Sequence, residues 1–266
     1  MKYTLLLAAT LLPTLPLVAQ HAEHGATPTT LTIAMHDYAF EAPETVPAGW
    51  VTLKGVPKGK ELHEATLIRL EGGKRLKDLV EAMKQPGPPP AWMVPMGGPL
   101  MASEVTVNLA PGRYVWWCFI PSADGVPHFA KGMVKEFVVH GNAPSAPAPT
   151  ADITVTMKDY AWDFSAPLKA GKQTLKVVNA PGQPHQFILV QLKAGKTAMQ
   201  AAEFAEKPAG EPPFTGMWGT VAQVTGDNFL TLDLAPGKYG VICFLPDGKD
   251  GKPHLVHGMI TEIEVK

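Results

Sequence analysis

Apolar and polar residues alternate along most of this chain. "LTIAM" from Leu31 and "ITVTM" from Ile153 put every second residue on one face, and so do "EVTVNL" from Glu104 and "FLTLDL" from Phe229. A period of two marks strands with one face buried. Two stretches depart from it. "GKRLKDLVEAM" from Gly73 and "GKTAMQAAEFAEK" from Gly195 have helical spacing and predict one short helix each, followed by a Pro-rich loop. "APG" before Arg113 and again before Lys238 predicts a turn between two strands.

The pattern occurs twice. "LTIAMHDYAF" from Leu31 aligns with "ITVTMKDYAW" from Ile153, and "LHEATLIRL" from Leu62 with "PHQFILVQL" from Pro184. "VTVNLAPGRYVWWCF" from Val105 aligns with "LTLDLAPGKYGVICF" from Leu230, and "PHFAKGMVKEFVV" from Pro127 with "PHLVHGMITEIEV" from Pro253. Leu31 to Ile153 is 122 positions and Met133 to Met259 is 126, a drift that small loop insertions explain. The repeat predicts two domains of one fold, residues 29–140 and 152–266, joined by a Pro/Ala-rich linker over 141–151. Each is expected to be an antiparallel Greek-key β-sandwich with a short helical insertion, so the chain is all-β.

Composition narrows the function class. With 45% hydrophobic and 18% charged residues the chain is globular, and a net charge of -1 gives no reason to expect a nucleic-acid partner. At the N-terminus, Lys2 precedes an apolar stretch from Leu5 to about Val18, and Ala19 is a small residue suited to cleavage before Gln20. This reads as a signal peptide over 1–19, too short and proline-broken for a membrane span, followed by a flexible tail over 20–28. The mature chain is expected to lack a transmembrane segment and to be periplasmic or secreted, in an oxidising compartment. Two cysteines in such a compartment raise the reading of one disulfide. Their equivalent places in separate repeats argue against it.

The candidate chemistry lies in "CFIPSADGVPHFAKGM" from Cys118 and "CFLPDGKDGKPHLVHGM" from Cys243. Each Cys ends an apolar strand and is followed by a His and a Met. A further His opens an earlier strand in each repeat, His63 and His185. Two imidazoles and a thiolate, with a weak thioether on the axis, suit copper that cycles between Cu(I) and Cu(II). In this order of ligands the sequence resembles the cupredoxins, the blue or type 1 copper proteins, over both repeats. The spacing from His128 to Met133 and from His254 to Met259 is similar to that of plastocyanin-like members. The resemblance implies up to one copper per domain, held by His63, Cys118, His128 and Met133 in the first and by His185, Cys243, His254 and Met259 in the second. One departure stands out: nine residues separate Cys118 from His128 and ten separate Cys243 from His254, where typical members have only a few. "PSADGVP" and "PDGKDGKP" are rich in turn formers, so a small hairpin there would bring the imidazole back to the sulfur.

Other residues have plainer readings. His257 stands where the first repeat has Lys131, and His36 where the second has Lys158, so both are expected at the surface. His140 has no partner pattern. His21 and His24 fall in the solvated tail. Met93, Met96 and Met101 are expected to pack over the sandwich, and Trp116 and Trp117 to fill the core. Multicopper oxidases and copper nitrite reductases need further histidines beside the Cys and in His-x-His pairs, and neither occurs here. No Ser–His–Asp, phosphate-loop or Cys-x-x-Cys signature occurs either. The expectation is therefore an exported mononuclear copper electron carrier, not an enzyme. Redox protein partners of the periplasm or extracellular space would dock at an exposed His128 or His254 edge. A copper buffering or delivery protein, or a metal-free binding module, are the alternatives.

Overall fold

A computed structural model of the chain describes residues 28–85, 87, 89–142, 147–223 and 226–266. The expected signal peptide, the tail with His21 and His24, and the middle of the linker lie outside the described residues. Among these residues no helix is long and apolar enough to cross a membrane.

The first half contributes β1 (Thr29–His36), β2 (Ala39–Glu41), β3 (Thr45–Pro47), β4 (Gly49–Pro57), β5 (Thr66–Leu70), α1 (Leu76–Ala82), β6 (Met93–Pro95), β7 (Glu104–Leu109), β8 (Gly112–Trp117) and β9 (Val134–His140). The second contributes β10 (Ile153–Lys158), β11 (Ala161–Phe164), β12 (Gly171–Asn179), β13 (His185–Leu192), α2 (Ala198–Glu206), β14 (Phe214–Gln223), β15 (Asn228–Leu234), β16 (Gly237–Ile242) and β17 (Ile260–Val265). Both expected helices are present. The Thr197 hydroxyl caps α2 by accepting from Gln200 N, and the Gln200 side chain accepts in return from Thr197 N.

The sheets give an all-β fold of two β-sandwiches with a feature the repeat did not foretell. One outer sheet is made only by the first half, in the order β3-β9-β8-β5-β6, and another only by the second, β14-β13-β16-β17. The sheet facing them is common to both: β11-β10-β12-β15-β7-β4-β1-β2. Its two halves join where β15 pairs antiparallel with β7, Phe229 opposite Thr106 and Thr231 opposite Glu104. Pairing uses up the open edge of each strand, which would otherwise expose unbonded amides. The seam is closed further by Ser103 Oγ, which accepts Gly219 N at 2.9 Å, and by Asn228 Nδ2, which donates to Met96 O at 3.0 Å. Pairing is mostly antiparallel, but β1–β4, β10–β12 and β3–β9 run parallel.

The run "YVWWCF" is apolar on both faces because β8 is covered on both. Tyr114, Trp116 and Cys118 point into the core between the sheets. Val115 and Trp117 point outward and are covered by Leu79 of α1. In the second half Tyr239, Val241 and Cys243 face the core, while Ile242 meets Ala201 and Ala202 of α2. That helix lies so close to β16 that a Cβ on Gly240 would stand 2.8 Å from Ala198 Cβ. Both cysteines are free and buried. Each one sits at the core-facing end of its strand, which fixes where the sulfur points.

Candidate metal centres

Each sulfur meets two imidazoles. In the first half one ligand atom each from His63, Cys118 and His128 lie within 4.8 Å of one another, and His185, Cys243 and His254 do the same in the second. Cys118 Sγ is 3.4 Å from His128 Nδ1. Cys243 Sγ is 3.5 Å from His254 Nδ1, which is 3.1 Å from His185 Nδ1. Donor atoms sharing one first-row metal at bonds of ~2.0–2.3 Å stand roughly 3.3–3.7 Å apart in a tetrahedral arrangement.

The histidines arrive by different routes. His63 and His185 lie at the entry to β5 and β13. His128 and His254 open short 3-10 turns, His128–Lys131 and His254–His257, at the end of the long loop. The expected hairpin is there. Pro121 bridges Pro127 and Pro246 bridges Pro253. The amides of His128 and Phe129 then bond to the carbonyls of Ile120 and Cys118, pinning the turn against the strand end. Gly132 and Gly258 follow at φ 109° and 101°, a conformation that favours glycine, and return the chain to β9 and β17. Met133 and Met259 come next. Both are fully buried, and each donates its amide N to the carbonyl of the His five residues before.

The outer ring nitrogens are tied to acceptors. His63 Nε2 is 3.0 Å from Asp37 Oδ1 and His128 Nε2 is 2.8 Å from Glu61 Oε2. His185 Nε2 is 3.2 Å from Asp159 Oδ1, and His254 Nε2 is 3.4 Å from Gln183 Oε1 and 3.8 Å from Asp247 Oδ2. A carboxylate only accepts, so Nε2 carries the hydrogen and Nδ1 presents a lone pair inward. Burial keeps His63, His185 and His254 below the ordinary imidazole range, so they are neutral near pH 7. In the second half two such lone pairs stand 3.1 Å apart beside a sulfur. In the first, His63 Nδ1 is buried with no hydrogen-bond partner at all. Each thiol can donate its hydrogen to one Nδ1, which leaves one inward lone pair per group without a donor for a cation to satisfy, so the residues fit a metal. The mixture of imidazole with soft sulfur matches copper.

The sequence reading did not name these outer residues. Asp37 and Asp159 belong to the "DY" shared by "LTIAMHDYAF" and "ITVTMKDYAW", which was the available signal. Asp37 is clamped by the amides of Lys60 and Glu61. Burial opposes its charge, but these bonds and His63 outweigh that and hold it below the usual carboxylate range. Tyr38 and Tyr160 adopt φ of 69° and 64°, rare for bulky residues, and set their rings edge-on to His128 and His254 at 5.3 and 5.8 Å. Tyr38 OH donates to Glu61 and Tyr160 OH to Asp247. Met101 is more than packing: its sulfur accepts His63 N at 3.1 Å. These covers correct one expectation, since His128 and His254 present no exposed edge: both are 0% exposed. Glu64, fully buried beside His63, accepts Phe119 N and the Thr66 hydroxyl, and burial pushes it up to about 7.

His257 and His36 do lie at the surface. His257 meets Asp250 at 3.2 Å, in the place where Lys131 meets Asp124 at 2.8 Å.

Replacing Asp37 or Asp159 by Ala is expected to weaken copper at its own group by roughly 10–100-fold, about 1.4–2.7 kcal/mol. Chelator competition measures it; unchanged affinity would remove the carboxylates from this account.

No family model matches the sequence, and no curated protein does. Solved structures do. Reduced auracyanin from the photosynthetic bacterium Roseiflexus castenholzii aligns at 23% identity and TM-score 0.27, over 44% of this chain and all (100%) of its own. A multicopper oxidase aligns at 15% identity and TM-score 0.22, over 89% of this chain and 88% of its own. Copper nitrite reductase from Nitrosomonas europaea aligns at 15% identity and TM-score 0.22, over 90% of this chain and 94% of its own. The two sandwiches, each with its His, Cys, His group, keep the likeness to cupredoxins that the sequence carries. One expectation is corrected here. The expectation that the chain is not an enzyme does not stand: it rested on absent motifs, and the chain holds two buried His/Cys/His groups that could hold a metal ion. The lack of His-x-His pairs and of His beside each Cys bears only on a copper cluster built within one chain.

Proposed function

We propose that the chain is an exported type 1 copper protein that takes up and gives out one electron at a time, with one copper in each half. The convergence of a buried sulfur with two inward Nδ1 atoms, their outer nitrogens held by acceptors, carries this reading. Bound copper supplies the one-electron chemistry, alternating between Cu(I) and Cu(II).

The chain's own residues do the rest. Cys118 and Cys243 supply thiolates, and His63 with His128 and His185 with His254 supply the imidazoles. Met133 and Met259 would offer thioether sulfurs as weak further ligands. Asp37, Glu61 and Asp159 stop the rings from turning, and the sandwich core keeps water away. A site that does not rearrange between oxidation states exchanges electrons quickly. Redox protein partners of the periplasm or extracellular space would dock over the turns that carry His128 and His254, where Val126 and Val256 are exposed apolar side chains. Export rests on the apolar stretch after Lys2.

Redox cycling tests the reading. With copper bound, ascorbate is expected to bleach the visible thiolate-to-copper band and a one-electron oxidant to restore it, cycle after cycle, with copper retained. Release of copper at each reduction would favour buffering or delivery instead.

A further inference from the structure

The two metal groups differ in the charge around them. In the first half two glutamates flank His63, Glu61 and Glu64. In the second, two glutamines occupy the same positions around His185, Gln183 and Gln186. The hydrogen bonds are conserved across the exchange. Glu64 Oε1 accepts Phe119 N at 3.2 Å, and Gln186 Oε1 accepts Phe244 N at 3.0 Å, the amide just after the Cys in each case. Glu61 Oε2 faces His128 Nε2, and Gln183 Oε1 faces His254 Nε2. Shape is kept while charge is removed. Thr66, whose hydroxyl donates to Glu64 at 3.1 Å, is replaced by Ile188 in the repeat that has lost the carboxylate.

The other charges beside the two turns are paired with opposite ones, Asp124 with Lys131 in the first half and Asp250 with Lys252 in the second. Asp37 and Asp159 are equivalent. Asp247 lies 3.8 Å from His254 Nε2, and its first-half counterpart is the neutral Ser122. Three carboxylates thus face the first group (Asp37, Glu61 and Glu64) and two the second (Asp159 and Asp247). Glu64 and Asp247, one in each half, are both 3% exposed, where a charge acts with least screening, so the further carboxylate on the first group is Glu61. Negative charge favours Cu(II) over Cu(I), so it lowers the reduction potential; net charge and burial are general levers on metal potentials.

We propose that the two groups are held at different reduction potentials, the first-half group lower, so that a chain carrying a single electron keeps it in the second half. This rests on the copper reading above and gives the tandem arrangement a direction. Glu64 and Glu61 are the positioning residues for it. They act through the ligands and need not touch the metal.

Spectroelectrochemistry of the copper-loaded full chain, at one fixed mildly alkaline pH, tests it. Two one-electron waves are expected. Cys118→Ser removes the lower wave and Cys243→Ser the higher. Glu64→Gln, which copies the second repeat, should raise the first group's Cu(I)-to-Cu(II) affinity ratio about tenfold, a shift of ~59 mV. Gln186→Glu should move the second wave down, which keeps the test valid if one variant does not fold. A single wave from two loaded sites, a first group higher than the second, or waves unmoved by either exchange would overturn the inference while the visible band still stood. Absence of the band from the native chain would overturn the copper reading and this inference with it.

Discussion

Serine at both Cys118 and Cys243 should abolish the intense visible band of the Cu(II)-loaded protein, and either change alone should leave the band of the other half. The effect is large because no other sulfur can take over the role. These are the only cysteines in the chain, and they lie in different halves at strand ends that face the core. A serine hydroxyl is nearly isosteric but stays protonated and hard, so it is a poor partner for Cu(I). Far-ultraviolet circular dichroism should be unchanged, which separates loss of a ligand from loss of fold. A band that survives the double change would place the chromophore elsewhere.

Copper affinity should climb steeply with pH. The thiolate is the ligand, but the sulfur starts as a thiol. Burial pushes Cys243 up to about 11 and Cys118 well above its ordinary value, where Glu64 adds to the effect. Binding must therefore expel at least one proton at each group. His63, His185 and His254 are already neutral and require no such step near pH 7. The sign follows: raising pH removes the competing proton and favours the bound state, by about tenfold per unit or ~100-fold between pH 7 and 9. Chelator competition, corrected for protonation of the chelator, checks it. A flat profile would mean that copper binds without the thiolate.

Much of the site was legible in the chain because duplication wrote it twice. The order His, Cys, His, Met recurs at matching places, each Cys at the end of an apolar strand. The turn formers between Pro121 and Pro127 announced a hairpin. What could not be read was what the loops do to each other. Asp37 and Asp159 look like ordinary turn residues until β1–β2 and β10–β11 close and set them against His63 and His185. The burial of His128 and His254 depends on Tyr38 and Tyr160, whose left-handed backbone no periodicity signals. Nor do strands show which neighbour they will take at an open edge. β7 and β15 alternate like any half-buried strand, and only the assembled sheet shows that they pair with each other. The exclusion of an enzyme failed for a related reason: it rested on absent motifs, and function lives in the site, not in the fold or in missing signatures.

X-ray absorption at the copper edge of the fully loaded chain addresses the central point most directly. The expected result is two coppers per chain, each with one short copper–sulfur bond and two imidazole nitrogens, and with the sulfur contribution halved when either cysteine becomes serine. Copper surrounded only by nitrogen and oxygen would contradict it, because the sulfur at the end of each core strand would then be no more than packing.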